Sequence, residues 1–273
     1  MKTWGALPAW VLLGAFLIAP LVALVPDALL GETNGFAALA PDPLFWRALR
    51  NSVLLGLLAG SVSTMVGVPI AITLARQPEH RRRWLLSLLG LPLAFSGLVI
   101  AYGFILAFGR AGVVTQMAAG LGADPAVIGG WIYSVGGLAF AYTYYLIPRV
   151  ALTLYPVFVN LDPSIAIAAQ TLGASKFRAF WDAVVPEIAP SVLAAGAQVA
   201  AIAMGTYGTA LALVGTQINI LPLMLFAKVS DGGADFSGAA ALSLVLMALC
   251  VLTLGAGDVY SRRRDRQLGR ASL

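Results

Sequence analysis

The chain is short of nearly everything that a water-soluble surface or a catalytic centre requires. It has one cysteine and one histidine in 273 residues. Cys250 alone can form no intramolecular disulfide, and with His80 as the only imidazole a Cys/His zinc site is not expected. Cys250 lies in an apolar run and reads as a packing residue. Charge is also scarce. The 17 Lys and Arg and 12 Asp and Glu make up 11% of the chain, against roughly 25% in soluble domains. Hydrophobic residues supply 60%, and the mean hydropathy is +0.88. This balance excludes a soluble enzyme, a nucleic-acid-binding module and a disordered chain. Apolar–polar alternation is missing too, which argues against an outer-membrane barrel. There is no GxxxxGK[ST] phosphate loop and no HExxH.

What remains is a multi-span helical membrane protein, all-α, with a single transmembrane domain over residues 1–273. Crossing a bilayer of ~30 Å takes about 20 helical residues. Apolar runs of that order lie near 6–25, 52–74, 85–108, 129–146, 188–206 and 239–256, which predicts six transmembrane helices. The first is read as an uncleaved helix, not a signal peptide, because its apolar run is long and no small-x-small cleavage site follows. With the N-terminus inside, the cytoplasmic side holds Lys2, Arg76, Arg81–Arg83, Arg149, Lys176, Arg178, Arg262–Arg264, Arg266 and Arg270. The outside holds only Arg47, Arg50, Arg110 and Lys228. Thirteen against four predicts both termini in the cytoplasm. Arg149 and Glu187 are placed near span ends, where a long side chain reaches the interface. Among the external connections, 207–238 is expected to carry a short helix over Leu221–Val229 and a turn over Ser230–Asp235. Small residues, such as Gly56 and Gly60 in the second span, suit close helix packing. That packing is either within the chain or against a second one.

The internal segment 160–187 is more than a connector. Asp162 can cap a helix with Pro163 at its first position. Ile165, Ala168, Ala169 and Leu172 share one helical face. Gly173 can end the helix in the left-handed conformation. Ser175 can cap a second helix, in which Phe177, Phe180, Trp181 and Val184 repeat the spacing. Pro186 is expected to stop regular hydrogen bonding before the fifth span. Two short amphipathic helices joined at a glycine can lie on the membrane or dock a cytoplasmic partner.

The stretch Ile167–Pro186, IAAQTLGASKFRAFWDAVVP, resembles the EAA loop of bacterial ABC-importer permeases. Ala168 and Ala169 match the two alanines, and Gly173 matches the glycine within Leu172–Ser175. Val184, Val185 and Pro186 stand in for the usual Ile-x-Leu-Pro ending. Ile167 occupies the position of the family glutamate. Met204–Pro222 also looks like the polyamine, aminoethylphosphonate and ferric-iron branch of type I importers. The resemblance implies a permease subunit in the bacterial inner membrane that pairs with a second permease. A cytoplasmic ATPase dimer binds the loop, and a substrate-loaded binding protein docks outside. ATP and magnesium then belong to the ATPase, and this chain holds no cofactor or metal. The implied coupling residues are Ala168, Ala169, Leu172, Gly173, Ala174, Ser175, Lys176, Phe177 and Pro186. Ile167 in place of glutamate suggests that the two coupling loops differ, so a heterodimer is favoured over a homodimer.

Two other classes compete. An intramembrane hydrolase needs a base beside its nucleophile, and His80 lies in the Arg-rich loop, far from any buried serine. An ion-coupled transporter or channel normally carries ionisable groups within its spans, and no carboxylate relay is legible here. Candidate path-lining residues are Tyr102, Tyr145, Gln198 and Tyr207.

Overall fold

The computed structural model describes residues 11–12, 14–31, 34–215, 217–230 and 235–267. It divides into two compact units. The first comprises 1–52 and 219–249, the second 53–218 and 250–273.

In the first unit a π-helical turn, Gly14–Ile18, leads into helix α1 (Ala19–Leu30). Asn34 caps the short α2 (Gly35–Leu39) by accepting from Ala37 N. Asp42 accepts from Leu44 N at 2.8 Å and opens α3 (Pro43–Ala75). The described residues also include α12 (Leu221–Ser230), close to the helix expected there, and the start of α13 (Phe236–Gln267). Most of the expected 230–235 turn lies outside the described residues. The core gathers Ala28, Leu39, Phe45, Ala48, Leu221 and Leu242. Side chains tie up orphan backbone groups. Ser52 Oγ accepts from Leu221 N (2.9 Å), Asn51 Nδ2 donates to Asn219 O (2.9 Å) and Ser237 Oγ to Asp27 O (2.9 Å). Lys228 and Asp235 form an ion pair at 2.6 Å. With a Gly238 N–H, this holds the Asp235 carboxyl below its ordinary range.

The second unit contains the rest of α3 and, in order, α4 (Glu79–Ala94), α5 (Gly97–Phe108), α6 (Val113–Gly120), α7 (Pro125–Trp131) and α8 (Val135–Val159). After these come α9 (Ser164–Thr171), α10 (Lys176–Gly205), α11 (Gly208–Val214) and the end of α13. Small residues let α3 and α10 approach. A Cβ on Gly56 would lie 2.6 Å from Met204, and one on Gly60 2.8 Å from Ala200. Gly67 meets Val150 of α8, and Gly257 meets Ala197. The GxxxG pair therefore packs within the chain, as backbone proximity in lipid favours. Cys250 Sγ points to Ala201 O at 3.7 Å.

Among the described residues, four helices are long and apolar enough to cross a membrane: Pro43–Ala75, Gly97–Gly120, Lys176–Gly205 and Phe236–Gly257. Pro125–Trp131 and Val135–Val159, bent by 59°, pass the test together as a fifth. The expected 6–25 span runs into residues outside those described. Two other expected spans change. The 85–108 run is broken: Phe95 is extended, and Ser96 caps α5 by accepting from Val99 N. A good N-cap followed by glycine restarts the helix. The 129–146 run is split where Ser134 accepts from Gly137 N at 3.1 Å, so the long helix is Val135–Val159. Pro186 does not end regular hydrogen bonding either. It lies inside α10, just after a π-helical turn at Phe180–Val184. Its missing N–H falls where the register has already shifted, so the expected second short helix is the start of a 30-residue one.

Candidate functional site

The segment between α8 and α10 is built as its residue types dictate. Asp162 Oδ1 accepts from Ser164 N at 2.8 Å, but α9 starts one residue later than expected, with Pro163 at the N-cap and Ser164 as its first residue. Hydrogen bonds from Ser164 hold the Asp162 carboxyl below its ordinary range. At the other end Leu172 N donates to Ala168 O (3.2 Å), Gly173 N to Gln170 O (3.0 Å) and Ala174 N to Ala169 O (3.1 Å). This is the double-bonded left-handed C-cap, and Gly173 has the positive φ of 91° that it needs. Ser175 then accepts from Arg178 N at 3.3 Å and opens α10.

With the backbone satisfied, the apolar side chains divide. Ala179 and Val184 are buried, and Phe180 lines a hollow with Ile72, Ala75, Phe158 and Leu161. Leu172 is 90% exposed and Phe177 74%. Ile167 and Trp181 are exposed as well, and Trp181 stacks at a tilt beside Phe177 with centroids 6.1 Å apart. An apolar patch thus projects from the most basic end of this unit. Lys176 and Arg178 are exposed beside it, with Arg76 lining the hollow behind. Of the expected coupling residues, Ala168, Leu172, Gly173, Ser175, Lys176 and Phe177 are exposed. Ala169, Ala174 and Pro186 are half-buried.

The path candidates are only partly brought together. Tyr145 is half-buried on α8 and approaches the hydroxyls of Thr206 and Thr209 at the interruption between α10 and α11. Tyr142, fully buried one turn away, donates to Thr206 O at 3.0 Å. Tyr207 lies in the same interruption, half-buried. Gln198 is exposed on α10, and Tyr102 is 58% exposed on α5. Neither takes part in the Tyr145 contacts.

Sequence reasoning missed Arg149, Thr206 and Thr209. Arg149 was expected at a span end. In α8 it precedes Val159 by ten residues, roughly 15 Å at 1.5 Å per residue. It also lies six residues inside Tyr155, about 9 Å. Over that ring Arg82 stacks at 6.0 Å. Its signal was present: an arginine inside the apolar LIPRVAL, once the span is drawn to 159.

Comparison with known proteins follows the same lines. Residues 67–266 match the family described as binding-protein-dependent transport system inner membrane component. The chain is 30% identical over 262 residues to the molybdenum transport system permease protein of Mycobacterium bovis, covering 92% of this chain and 94% of that one. To the chloroplastic sulfate permease 2 of Chlamydomonas reinhardtii it is 28% identical over 247 residues, which is 90% of this chain and 65% of that one. In fold it is similar to a chain of a bacterial alginate ABC transporter crystallised with its pentasaccharide-bound periplasmic protein. There the TM-score is 0.69 at 16% identity, covering 98% of this chain and 94% of that one. The expected polyamine, aminoethylphosphonate and iron branch is not confirmed, since the relatives named are sulfate and molybdenum permeases.

Proposed function

We propose that this chain, which belongs to the family of binding-protein-dependent inner membrane transport components, couples oxyanion import to ATP hydrolysis through the 160–187 segment. It is a permease subunit of an ABC importer, and the ATP chemistry resides in a separate subunit. The observation that carries the coupling role is the apolar patch of Leu172 and Phe177, held outward by a fully bonded turn. Exposed apolar area with rigid aromatics and a positive rim suits a protein groove better than water. ATP-driven closure of the ATPase pair would carry this knob with it and tilt α10, whose first turn carries Phe177.

The oxyanion reading is supported by the sulfate and molybdenum relatives. It is also supported by Arg149, a cation within a span, which disfavours polyamine or ferric cargo. The basic end faces the cytoplasm in this reading, and a substrate-binding protein docks on the opposite face. The second permease is a related chain, since Ile167 replaces the family glutamate.

Two experiments test this. Vesicles containing the chain, its ATPase, its binding protein and a second permease should take up labelled sulfate or molybdate only with ATP. Uptake driven by a proton gradient without any associated ATPase would replace this reading with an ion-coupled transporter. Reporter fusions after Gln77 and Ser175 should report inside, and after Gln116 and Asp231 outside; the reverse pattern would refute the orientation.

A further inference from the structure

Helix α8 carries its buried apolar residues on one side: Tyr142, Leu146, Val150 and Leu154. Tyr145, Arg149 and Thr153 follow at intervals of four on another side that is half-buried to exposed. A cation at this depth ordinarily finds a carboxylate or backbone carbonyls. Among the described residues Arg149 has no ion pair and no hydrogen bond. The Tyr145 hydroxyl, one turn away, lies within its electrostatic range.

That hydroxyl is itself incomplete. Tyr145 Oη and Thr209 Oγ1 are closed off from solvent and lie near each other, yet neither forms a hydrogen bond of regular geometry. Thr206 cannot donate to them, because its hydroxyl hydrogen goes to Ile202 O at 2.7 Å. Thr209 is completely buried. Its hydroxyl abuts Gly97, the first residue of α5, where any Cβ would collide with it. A buried hydroxyl left without a regular partner is costly, since it has given up its hydrogen bonds to water. Such groups therefore persist where something else is served. Two interrupted helices meet here: α5 begins at Gly97 and α10 ends at Gly205. The N–H end of α5 adds positive partial charge to the same spot. A guanidinium, two buried hydroxyls without a regular partner and a helix N-terminus thus converge, and none of them is a carboxylate.

We propose that Arg149, Tyr145 and Thr209 form a transient binding point for a tetrahedral oxyanion within the translocation path. Arg149 supplies charge and a planar fork of donors, which matches two oxygens of such an anion. Tyr145 and Thr209 supply one O–H donor each. The two hydroxyls are shut in this conformation, so the point opens when α5 and α11 part at their interruptions. The proposal rests on the oxyanion reading above and adds where the anion is held.

The test uses the full complex in vesicles with labelled sulfate and molybdate as probes. Arg149→Gln should lower uptake of the transported anion at least tenfold while subunit pull-down is unchanged, and Arg149→Lys should recover part of the loss. Tyr145→Phe and Thr209→Val should each raise the KM for uptake severalfold more than they lower its maximal rate. That split separates anion binding from a packing defect and stands even if Arg149→Gln fails to assemble. Undiminished uptake in Arg149→Gln, or equal KM in both hydroxyl variants, overturns the site while leaving the oxyanion reading intact. A wild-type complex that carries neither anion overturns both.

Discussion

The turn at Gly173 and the interruption at Thr206–Tyr207 both break a helix, and they are finished in opposite ways. Around Gly173 the polar groups are spent. Ala168, Ala169 and Gln170 carbonyls accept from the following turn, and Ser175 and Asp162 cap the helices on either side. What is left projecting is an apolar patch, Leu172, Phe177 and Trp181, beside the exposed Lys176 and Arg178. Around Thr206 the apolar packing is complete, with Tyr142, Val199 and Ala203 buried. What is left over is polar: the Tyr145 and Thr209 hydroxyls. A surface with its backbone hydrogen bonds satisfied and spare apolar area suits a standing protein contact. An interior with spare donors suits a ligand that comes and goes.

Removing the turn's special backbone should separate the two regions most strongly. Gly173→Val places a β-branched residue at φ 91°, a strain of roughly 1–2 kcal/mol. No atom lies within 4 Å of the new Cβ, so the defect is in the turn's shape and not a clash. ATP-dependent uptake should fall at least tenfold with normal membrane insertion. Gly122→Val is the matched control, with φ 93° and equally open surroundings. It should change ATPase pull-down by less than twofold. Gly112 would make a poor control, because its Cβ would lie 2.6 Å from Ala107 O.

The apolar excess is sharpened by Leu172→Asp. At 90% exposure the leucine contributes little to the monomer, so the melting temperature should hold. ATPase association should weaken about fivefold to tenfold in a pull-down titration, the size expected for an interface anchor. Ser175→Ala removes a cap worth ~1 kcal/mol. Uptake should drop no more than about fivefold, measured as initial rate. Asp162 should matter least. Its carboxyl is held below the ordinary range by Ser164. Its contribution is therefore complete above the unfolded value of about 3.9 and lost only as pH falls through the lower folded one. Coupling between pH 5 and 8 should show no step from this group, and Asp162→Asn should change uptake by less than twofold at pH 7.

Much of the 160–187 segment was legible because local chemistry decides it. Asp162, Gly173 and Ser175 each act through backbone groups a few residues away; Gly173 and Ser175 occupy the positions their side chains predict, and Asp162 lies one residue before the N-cap, Pro163. Pro186 was misread because its effect depends on the π-helical turn before it, which has no sequence mark. The spans at 85–108 and 129–146 were drawn through Ser96 and Ser134 because hydropathy averages over single polar residues. Both serines cap new helices. That error also hid Arg149: a span ended at 146 leaves it at the interface, and one ended at Val159 leaves it inside. The pairing of Tyr145 with Thr206 and Thr209 is a tertiary fact, joining residues some sixty apart in sequence. No periodicity within either helix announces it.

The coupling claim is tested most directly by a photo-crosslinker placed at Leu172 in native membranes, with and without ATP. The account predicts one dominant protein adduct, to the ATPase subunit, whose yield changes when nucleotide closes the ATPase pair. Adducts only to lipid, unaffected by nucleotide, would mean that the 160–187 segment merely lies on the membrane and would contradict the account.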